Sequence, residues 1–321
     1  MPITKSQYTP NFIFKNKHIN TSFKTLTYRQ IITYHRKRIS TPDNDFLDLD
    51  FSTNNAETCV VALHGLEGSS KSKYIISAIK YINANGIDAV AVNFRGCSGE
   101  PNKQPYSYHS GKTDDLDLVI NYISNNYTYK NIFLLGYSMG GNILLKYLGE
   151  TEHVNSNIKG GIAISVPCDL KGSSEILSNK QNKIYLNIFL KILKNKAIKT
   201  LSQYSNLNLS KEEILKSKNF EDFDNAVTAP LFHFKNAADY YLKNSSVNFI
   251  KNIKTSTLLI NALDDSFLSK SCYPYKICEK NKYVTFETPQ YGGHVGFNTS
   301  FLPRKNTWSE QRILQFINSI L

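Results

Sequence analysis

Six short runs of β-branched and aliphatic residues recur along the chain, at 59–63 (CVVAL), 89–93 (AVAVN), 132–135 (IFLL), 162–165 (IAIS), 257–262 (TLLINA) and 283–286 (YVTF). Each is apolar nearly throughout instead of alternating, the pattern of strands buried on both faces, and the stretches between them have helical periodicity. Strands joined by helices run parallel, because a long crossover is needed to bring the chain back to the same end of a sheet. The alternation predicts an α/β architecture: a mostly parallel central sheet flanked by helices, in a single domain spanning 1–321. Upstream, 28–39 and 46–51 flank the turn-forming cluster Thr41-Pro42-Asp43-Asn44-Asp45 and predict an antiparallel hairpin at the sheet edge. Among the helices, 115–125 carries Leu118, Val119 and Tyr122 on one stripe, with acids in its first turn. The last helix has Ile313, Phe316, Ile317 and Ile320 in i, i+3, i+4, i+7 spacing, opened by Thr307 and Glu310 in capping-box form.

The alternation lapses from about 167 to 252, where lysine-rich helical patterns run without a core strand, as expected of a helical lid inserted into the sheet domain. Within it, 182–201 (NKIYLNIFLKILKNKAIKTL) combines a broad apolar face with several lysines. That is foremost a cap helix with its apolar face over the active site. The same face would suit an acyl-binding groove or a lipid surface, and the sequence does not separate these. The formal charge of +12 raises nucleic acid as a partner, but the lysines are scattered and accompany heavy use of Asn and Ile, so a solvated basic surface is expected and no nucleic-acid binding. Five cysteines, Cys59, Cys97, Cys168, Cys272 and Cys278, form no C-x-x-C pair and indicate neither a disulfide framework nor a zinc site. With no signal-peptide core and no long apolar span, a soluble cytoplasmic protein is expected.

Gly136-Tyr137-Ser138-Met139-Gly140 has the form G-x-S-x-G, a short pattern that means little without its setting. Here a strand run ends just before it, and the helical pattern Ile143, Leu144, Tyr147, Leu148 begins just after. A serine nucleophile held on a strained strand-to-helix turn needs that order, with small neighbours so that backbones can approach. Ser138 also needs a base to take its proton and a carboxylate to orient that base. His294, in Tyr291-Gly292-Gly293-His294-Val295-Gly296-Phe297, follows the last strand among glycines that free the backbone to turn an imidazole inward. The carboxylate is Asp265 or its neighbour Asp264, in the loop after TLLINA. Asp265 is preferred because Ala262, three residues earlier, stands where many α/β hydrolases have the glycine of a G-x-x-D turn. The order Ser, Asp, His, each after a strand, is the order of the α/β-hydrolase fold. The expected oxyanion donors are the backbone N–H groups of Met139 and of Leu66, the latter in the turn His64-Gly65-Leu66-Glu67-Gly68. His64 itself is expected to orient that turn by hydrogen bonds and to stand outside the triad.

With those residues in place, the chain resembles the YheT-like branch of the α/β hydrolases, the AB hydrolase-4 family. The resemblance rests on HGLEGSS from His64, NFRGCSGEPN from Asn93, YHSGKTDDL from Tyr108, GYSMGGN from Gly136, NALDD from Asn261 and GGHVGF from Gly292, and covers most of the chain outside the lid. It implies the triad Ser138, Asp265, His294 and hydrolysis of a carboxylic ester, a small molecule or a lipid, with some relatives similar to acyltransferases. Two departures stand out. The family's N-P-H-x-Q-T is Asn16-Lys17-His18-Ile19-Asn20-Thr21 here, and its D-G-D turn is Asp43-Asn44-Asp45. Neither is expected to touch the triad, and Asn tolerates the left-handed turn conformation that Gly supplies.

Arg95 is read as a buried, paired guanidinium, and the H-x-x-x-x-D run from His109 to Asp114 as a weak acyltransferase-like signal, with Thr113 or Asp114 capping the helix that begins near Asp115. The chemistry requires no metal and no organic cofactor. Acyl transfer to an alcohol through the same triad, or lipid binding without catalysis, are the alternatives to ester hydrolysis.

Overall fold

The computed structural model of the chain describes residues 2–204 and 206–321. Nine strands form one sheet: β1 (Ile3–Thr4), β2 (His35–Ser40), β3 (Phe46–Ser52), β4 (Thr58–Leu63), β5 (Asp88–Asn93), β6 (Asn131–Tyr137), β7 (Ile158–Ile164), β8 (Thr257–Ile260) and β9 (Val284–Glu287). Their order across the sheet is β1-β9-β8-β7-β6-β4-β5-β3-β2, parallel throughout except at β3 and β2. All six apolar runs are strands. The hairpin is present too, with β2 as the outermost strand.

Side-chain alternation divides the interior into two layers. Along β4, Cys59, Val61 and Leu63 face one side while Val60 and Ala62 face the other; along β6, Ile132 and Leu134 oppose Phe133, Leu135 and Tyr137. Helices α1 (Lys17–Thr27), α2 (Lys73–Ala84), α3 (Thr113–Asn126) and α4 (Met139–Glu150) frame these layers together with the C-terminal helix Trp308–Asn318. The first layer is completed by Val119, Ile120 and Ile123 of α3 and Ile143 and Leu144 of α4. The second takes Ile75, Ile79 and Ile82 of α2 with Ile313, Phe316 and Ile317 of the C-terminal helix, whose Thr307–Glu310 capping box is formed.

Two local expectations are corrected. Only 35–40 of the stretch 28–39 pairs with β3, from His35 opposite Phe51 to Ser40 opposite Phe46. Residues before it serve the α2 side instead, where Tyr34 packs and donates its hydroxyl to the Ser70 carbonyl at 3.0 Å. Neither Thr113 nor Asp114 caps α3: the N-cap is Lys112, without a side-chain hydrogen bond. The Thr113 hydroxyl donates to Glu150, and the Asp114 carboxylate accepts from Lys112 Nζ at 2.7 Å, so both side chains are engaged elsewhere. The Asn44 expectation holds, its φ being 60°.

Between β7 and β8 the chain is helical, beginning with α5 (Leu170–Leu177) and α6 (Lys183–Gln203) and continuing through Lys211–Lys216 and 220–231 to Ala237–Asn244. This region has a small core of its own, in which Leu186, Leu190 and Ala197 of α6 meet Ile214, Phe220 and Phe223. The stretch 220–231 contains a π-helical turn, Asp224–Thr228.

Candidate active site

Loops leaving the C-terminal ends of β4, β6, β8 and β9 converge, as parallel α/β sheets favour for ligand sites. Ser138 joins β6 to α4 with φ 52° and ψ −120°, a left-handed backbone that a side chain adopts only when its surroundings enforce it. The enforcement is steric and hydrogen-bonded. A Cβ on Gly140 would lie 2.5 Å from the His64 carbonyl oxygen and 2.6 Å from that of Leu63, so glycine alone lets α4 start this close to the end of β4. The Ser138 N–H donates to the Ile164 carbonyl at 2.8 Å, continuing the sheet pairing into the turn.

The Ser138 hydroxyl lies 2.9 Å from His294 Nε2, and His294 Nδ1 lies 2.9 and 3.2 Å from the two Asp265 oxygens. Nδ1–H donates to the carboxylate and Nε2 accepts from the serine, the tautomer that leaves the imidazole ready to take a proton. Asp265 is buried, and its Oδ1 also accepts from the Phe267 N–H at 2.9 Å. The Phe267 ring stacks on the imidazole with centroids 4.2 Å apart. Asp264 points elsewhere: its Oδ1 accepts from the Gly293 N–H at 2.9 Å. Burial, together with the charge of Asp265, pushes its carboxyl up to about 6 against the effect of that hydrogen bond.

The turn after β4 lies over Ser138, since a Cβ on Gly65 would come 3.1 Å from the serine Cβ. The Gly65 N–H donates to the Tyr74 hydroxyl and the Glu67 N–H to the Tyr108 hydroxyl, both at 2.8 Å. Leu66 N–H, between them, and Met139 N–H, at the start of α4, have no protein acceptor among the described residues. His64 is buried and neutral: Nδ1–H donates to the Gly65 carbonyl at 2.7 Å, Nε2 accepts from Phe94 N–H at 3.2 Å, and burial lowers its pKa to about 4. It orients the turn, as expected. Arg95 is likewise buried and paired, donating twice to Asp115 at 2.8 Å and once to Asp43 at 2.6 Å.

One expectation about position is overturned. The stretch 16–21 does meet the triad: Thr21 Oγ1 accepts the His294 N–H at 2.8 Å. Asn20, fully buried, holds the same loop by accepting from Asn298 N–H and Nδ2 at 3.0 and 2.9 Å. Helix α1 thus forms the bed of the histidine loop, and a Cβ on Gly296 would strike the Asn20 carbonyl oxygen at 2.3 Å. The reading from sequence missed this support although it had singled out the motif, which was the available signal. It also missed Ser165, whose hydroxyl accepts from Val295 N–H at 2.9 Å.

A cavity of about 540 Å³ opens onto Ser138 and His294. Gly65 and Leu66 line it near the serine, and Leu177, Phe189, Leu193, Phe220 and Phe223 line it from the helical region between β7 and β8. His109 lies in its wall, edge-on to Phe232 with centroids 4.7 Å apart, and burial lowers its pKa to about 3. Asp224 also lines the cavity, accepting from Thr228 Oγ1 at 2.5 Å and from the Tyr241 hydroxyl at 2.7 Å; burial raises its pKa to about 6. The arrangement sets a hydroxyl hydrogen-bonded to an imidazole, with two backbone N–H groups nearby, beside an apolar volume. Among the described residues no helix is long and apolar enough to cross a membrane.

Comparison with known proteins agrees with this fold. Residues 58–300 match the family described as "alpha/beta hydrolase fold". The chain is 30% identical to the "Putative esterase YheT" of Escherichia coli (strain K12), over 99% of this chain and 95% of that one. It is 27% identical to human "Phospholipase ABHD3", over 92% of this chain and 74% of the relative. Among solved structures, the Pyrococcus furiosus esterase Pf2001 superposes with a TM-score of 0.60 at 19% identity, covering 89% of this chain and 91% of that one, a likeness of fold. Aligned with YheT over almost its entire length, and carrying the strand order and strained serine turn described above, the chain belongs to the α/β-hydrolase fold family, in its YheT-like branch.

Proposed function

We propose that the protein hydrolyses carboxylic esters, of lipids or of other molecules with an acyl chain, through an acyl-serine intermediate. The observation that carries this reading is the unbroken hydrogen-bond chain Asp265–His294–Ser138 at the wall of an apolar cavity. His294 Nε2 takes the Ser138 proton as Oγ attacks the ester carbonyl, and Asp265 steadies the imidazolium that results. The carbonyl oxygen, now negative, is received by Leu66 N–H and Met139 N–H, each such donor being worth about 3 kcal/mol in comparable sites. As the tetrahedral adduct collapses, the imidazolium gives its proton to the departing alcohol. Water then enters and gives a proton to His294 as its oxygen bonds the acyl carbon. The acid leaves as the Ser138 Oγ–acyl bond breaks and Oγ takes the proton back from His294. No metal or organic cofactor is called for at any step.

The helical region between β7 and β8 is assigned the part of a lid, with its apolar lining receiving the acyl chain. The relatives named as a phospholipase and, in Saccharomyces cerevisiae, a "Monoacylglycerol lipase" support a lipid-like ester. The test is labelling by a fluorophosphonate, read by intact-protein mass and paired with turnover of soluble p-nitrophenyl esters. Wild type is expected to gain one adduct and Ser138→Ala none, with ester turnover lost in the variant. Wild-type turnover in Ser138→Ala would sink the assignment.

A further inference from the structure

Helix α6 has two apolar faces, and its small core accounts for only one of them. Leu186, Leu190 and Ala197 turn inward. Ile184, Ile188 and Ile192 are 75%, 52% and 41% exposed. They recur every fourth residue and so form one line, about 12 Å long at the rise of an α-helix. Single exposed isoleucines are common on soluble proteins, but three in register beside a cavity opening form a patch. The patch extends to a second helix: Leu26 of α1 is 64% exposed and, with Ile188, lines the cavity that opens on Ser138. The two helices touch where His18 Nδ1 meets the Tyr185 hydroxyl at 3.3 Å.

The charge around this patch identifies what covers it. Helix α6 carries five lysines, Lys183, Lys191, Lys194, Lys196 and Lys199, and no acid. Only Lys196 has a carboxylate partner among the described residues. At 100° per residue, Lys191 and Lys199 project on the same side as the isoleucine line. An apolar stripe flanked by unpaired cations on a helix suits the plane of an anionic lipid surface, where the isoleucines enter the acyl boundary and the ammonium groups meet phosphate and carboxylate heads. A second copy of this chain fits poorly, because it would set Lys191 and Lys199 against the same two cations.

We infer that the exposed face of α6, together with Leu26, docks on an anionic lipid bilayer and turns the cavity opening toward the membrane. The inference rests on the lipid-ester reading only for its purpose; the surface itself is argued from exposure and charge. A lipid ester would then pass from the bilayer past Ile188 and Leu26 to Ser138 without crossing bulk water.

The test is co-sedimentation of the full chain with vesicles of phosphatidylcholine alone and of phosphatidylcholine mixed with phosphatidylserine, beside turnover of a soluble short-chain p-nitrophenyl ester. Wild type should bind the mixed vesicles at least about tenfold more tightly than the neutral ones, less so as salt is raised. The double variants Ile184→Asp/Ile192→Asp and Lys191→Glu/Lys199→Glu alter no residue of the triad or its cavity. Each should lose about tenfold or more of the vesicle affinity while keeping wild-type turnover of the soluble ester, which also shows that they fold. Failure of wild type to bind mixed vesicles, or undiminished binding by both variants, overturns the docking surface and leaves ester hydrolysis untouched. Variant-sensitive vesicle binding by a protein that turns over no ester would sustain the surface and remove the hydrolytic reading.

Discussion

The Lys196 ammonium on α6 lies 3.0 and 3.2 Å from the two carboxylate oxygens of Glu67, the residue that follows Leu66 in the turn over Ser138. Glu67 is left-handed, with φ 53°, and its carboxylate also accepts from the Tyr108 hydroxyl at 2.6 Å. Burial works against the Lys196 ammonium, but Cys97 and Glu67 together outweigh it, and its pKa is raised. Helix α6 is thereby tied to the turn that carries the Leu66 N–H.

Lys196→Met should consequently lower kcat for a soluble ester about tenfold, or about 1.4 kcal/mol of transition-state stabilisation, with a smaller change in KM. Lys196→Arg, which can keep the pair, should recover most of the loss. An unchanged kcat in Lys196→Met would show that the tie does not govern the turn.

The bed beneath the histidine loop makes a second prediction. Thr21→Val keeps the shape of the side chain but leaves the His294 N–H without its acceptor, a loss of about 1–3 kcal/mol for a buried donor. Fluorophosphonate labelling of Ser138 should slow about tenfold while the far-ultraviolet circular dichroism stays that of wild type. Asn20→Ala removes several buried hydrogen bonds at once and should lower Tm by several degrees.

Asp224 gives a pH-dependent prediction with a definite sign. Its carboxyl has a pKa of about 6 in the folded chain, above the ordinary value of 3.8, so the folded state holds the proton more firmly. The stabilisation that this proton brings is complete below pH 3.8 and is lost as pH rises through about 6. Asp224→Asn carries no such liability. In thermal melts the variant should exceed wild type by a few kcal/mol at pH 8, and that advantage should shrink toward zero near pH 4. An advantage independent of pH would contradict the assignment of the burial effect to this carboxyl.

Gly140→Ala tests the steric basis of the serine turn. Its Cβ would sit against two backbone carbonyls of the β4 end, neither able to move without disturbing the sheet. A loss of roughly 3 kcal/mol or more in denaturant unfolding is expected, beyond ordinary overpacking. A stable variant would mean that the turn yields more easily than its contacts suggest.

The parts of this architecture that the sequence announced are those written in local, repetitive chemistry. β4, β6 and β8 are apolar at nearly every position, and Ser138 stands where a strand run meets a helical one. β1 escaped notice because Ile3–Thr4 is two residues long and exists through its pairing with Phe286 and Glu287. α1 escaped because its buried positions are polar, Asn20 at the histidine loop and Lys24 on Glu310, while the apolar Ile19 and Leu26 are exposed. The choice between Asp264 and Asp265 turns on which way adjacent side chains project at the end of β8, a fact of three-dimensional packing. The pairing of Lys196 with Glu67 spans 129 residues and leaves no local trace.

The grip of α1 on the histidine loop also bears on how the enzyme is made. Thr21 and His294 are separated by 273 residues, and Tyr8, whose hydroxyl donates to the Asn298 carbonyl, by 290 from its acceptor. At ribosomal rates of about 5–20 residues per second, the first of these partners waits roughly 15 s to a minute for the other to be synthesised. In the later part of that interval Ser138 and the strands around β6 have been synthesised, yet His294, the proposed base, has not. On the reading proposed above, a chain ended before His294 lacks its base, and reactivity waits until the loop 291–297 settles on a helix made 273 residues earlier.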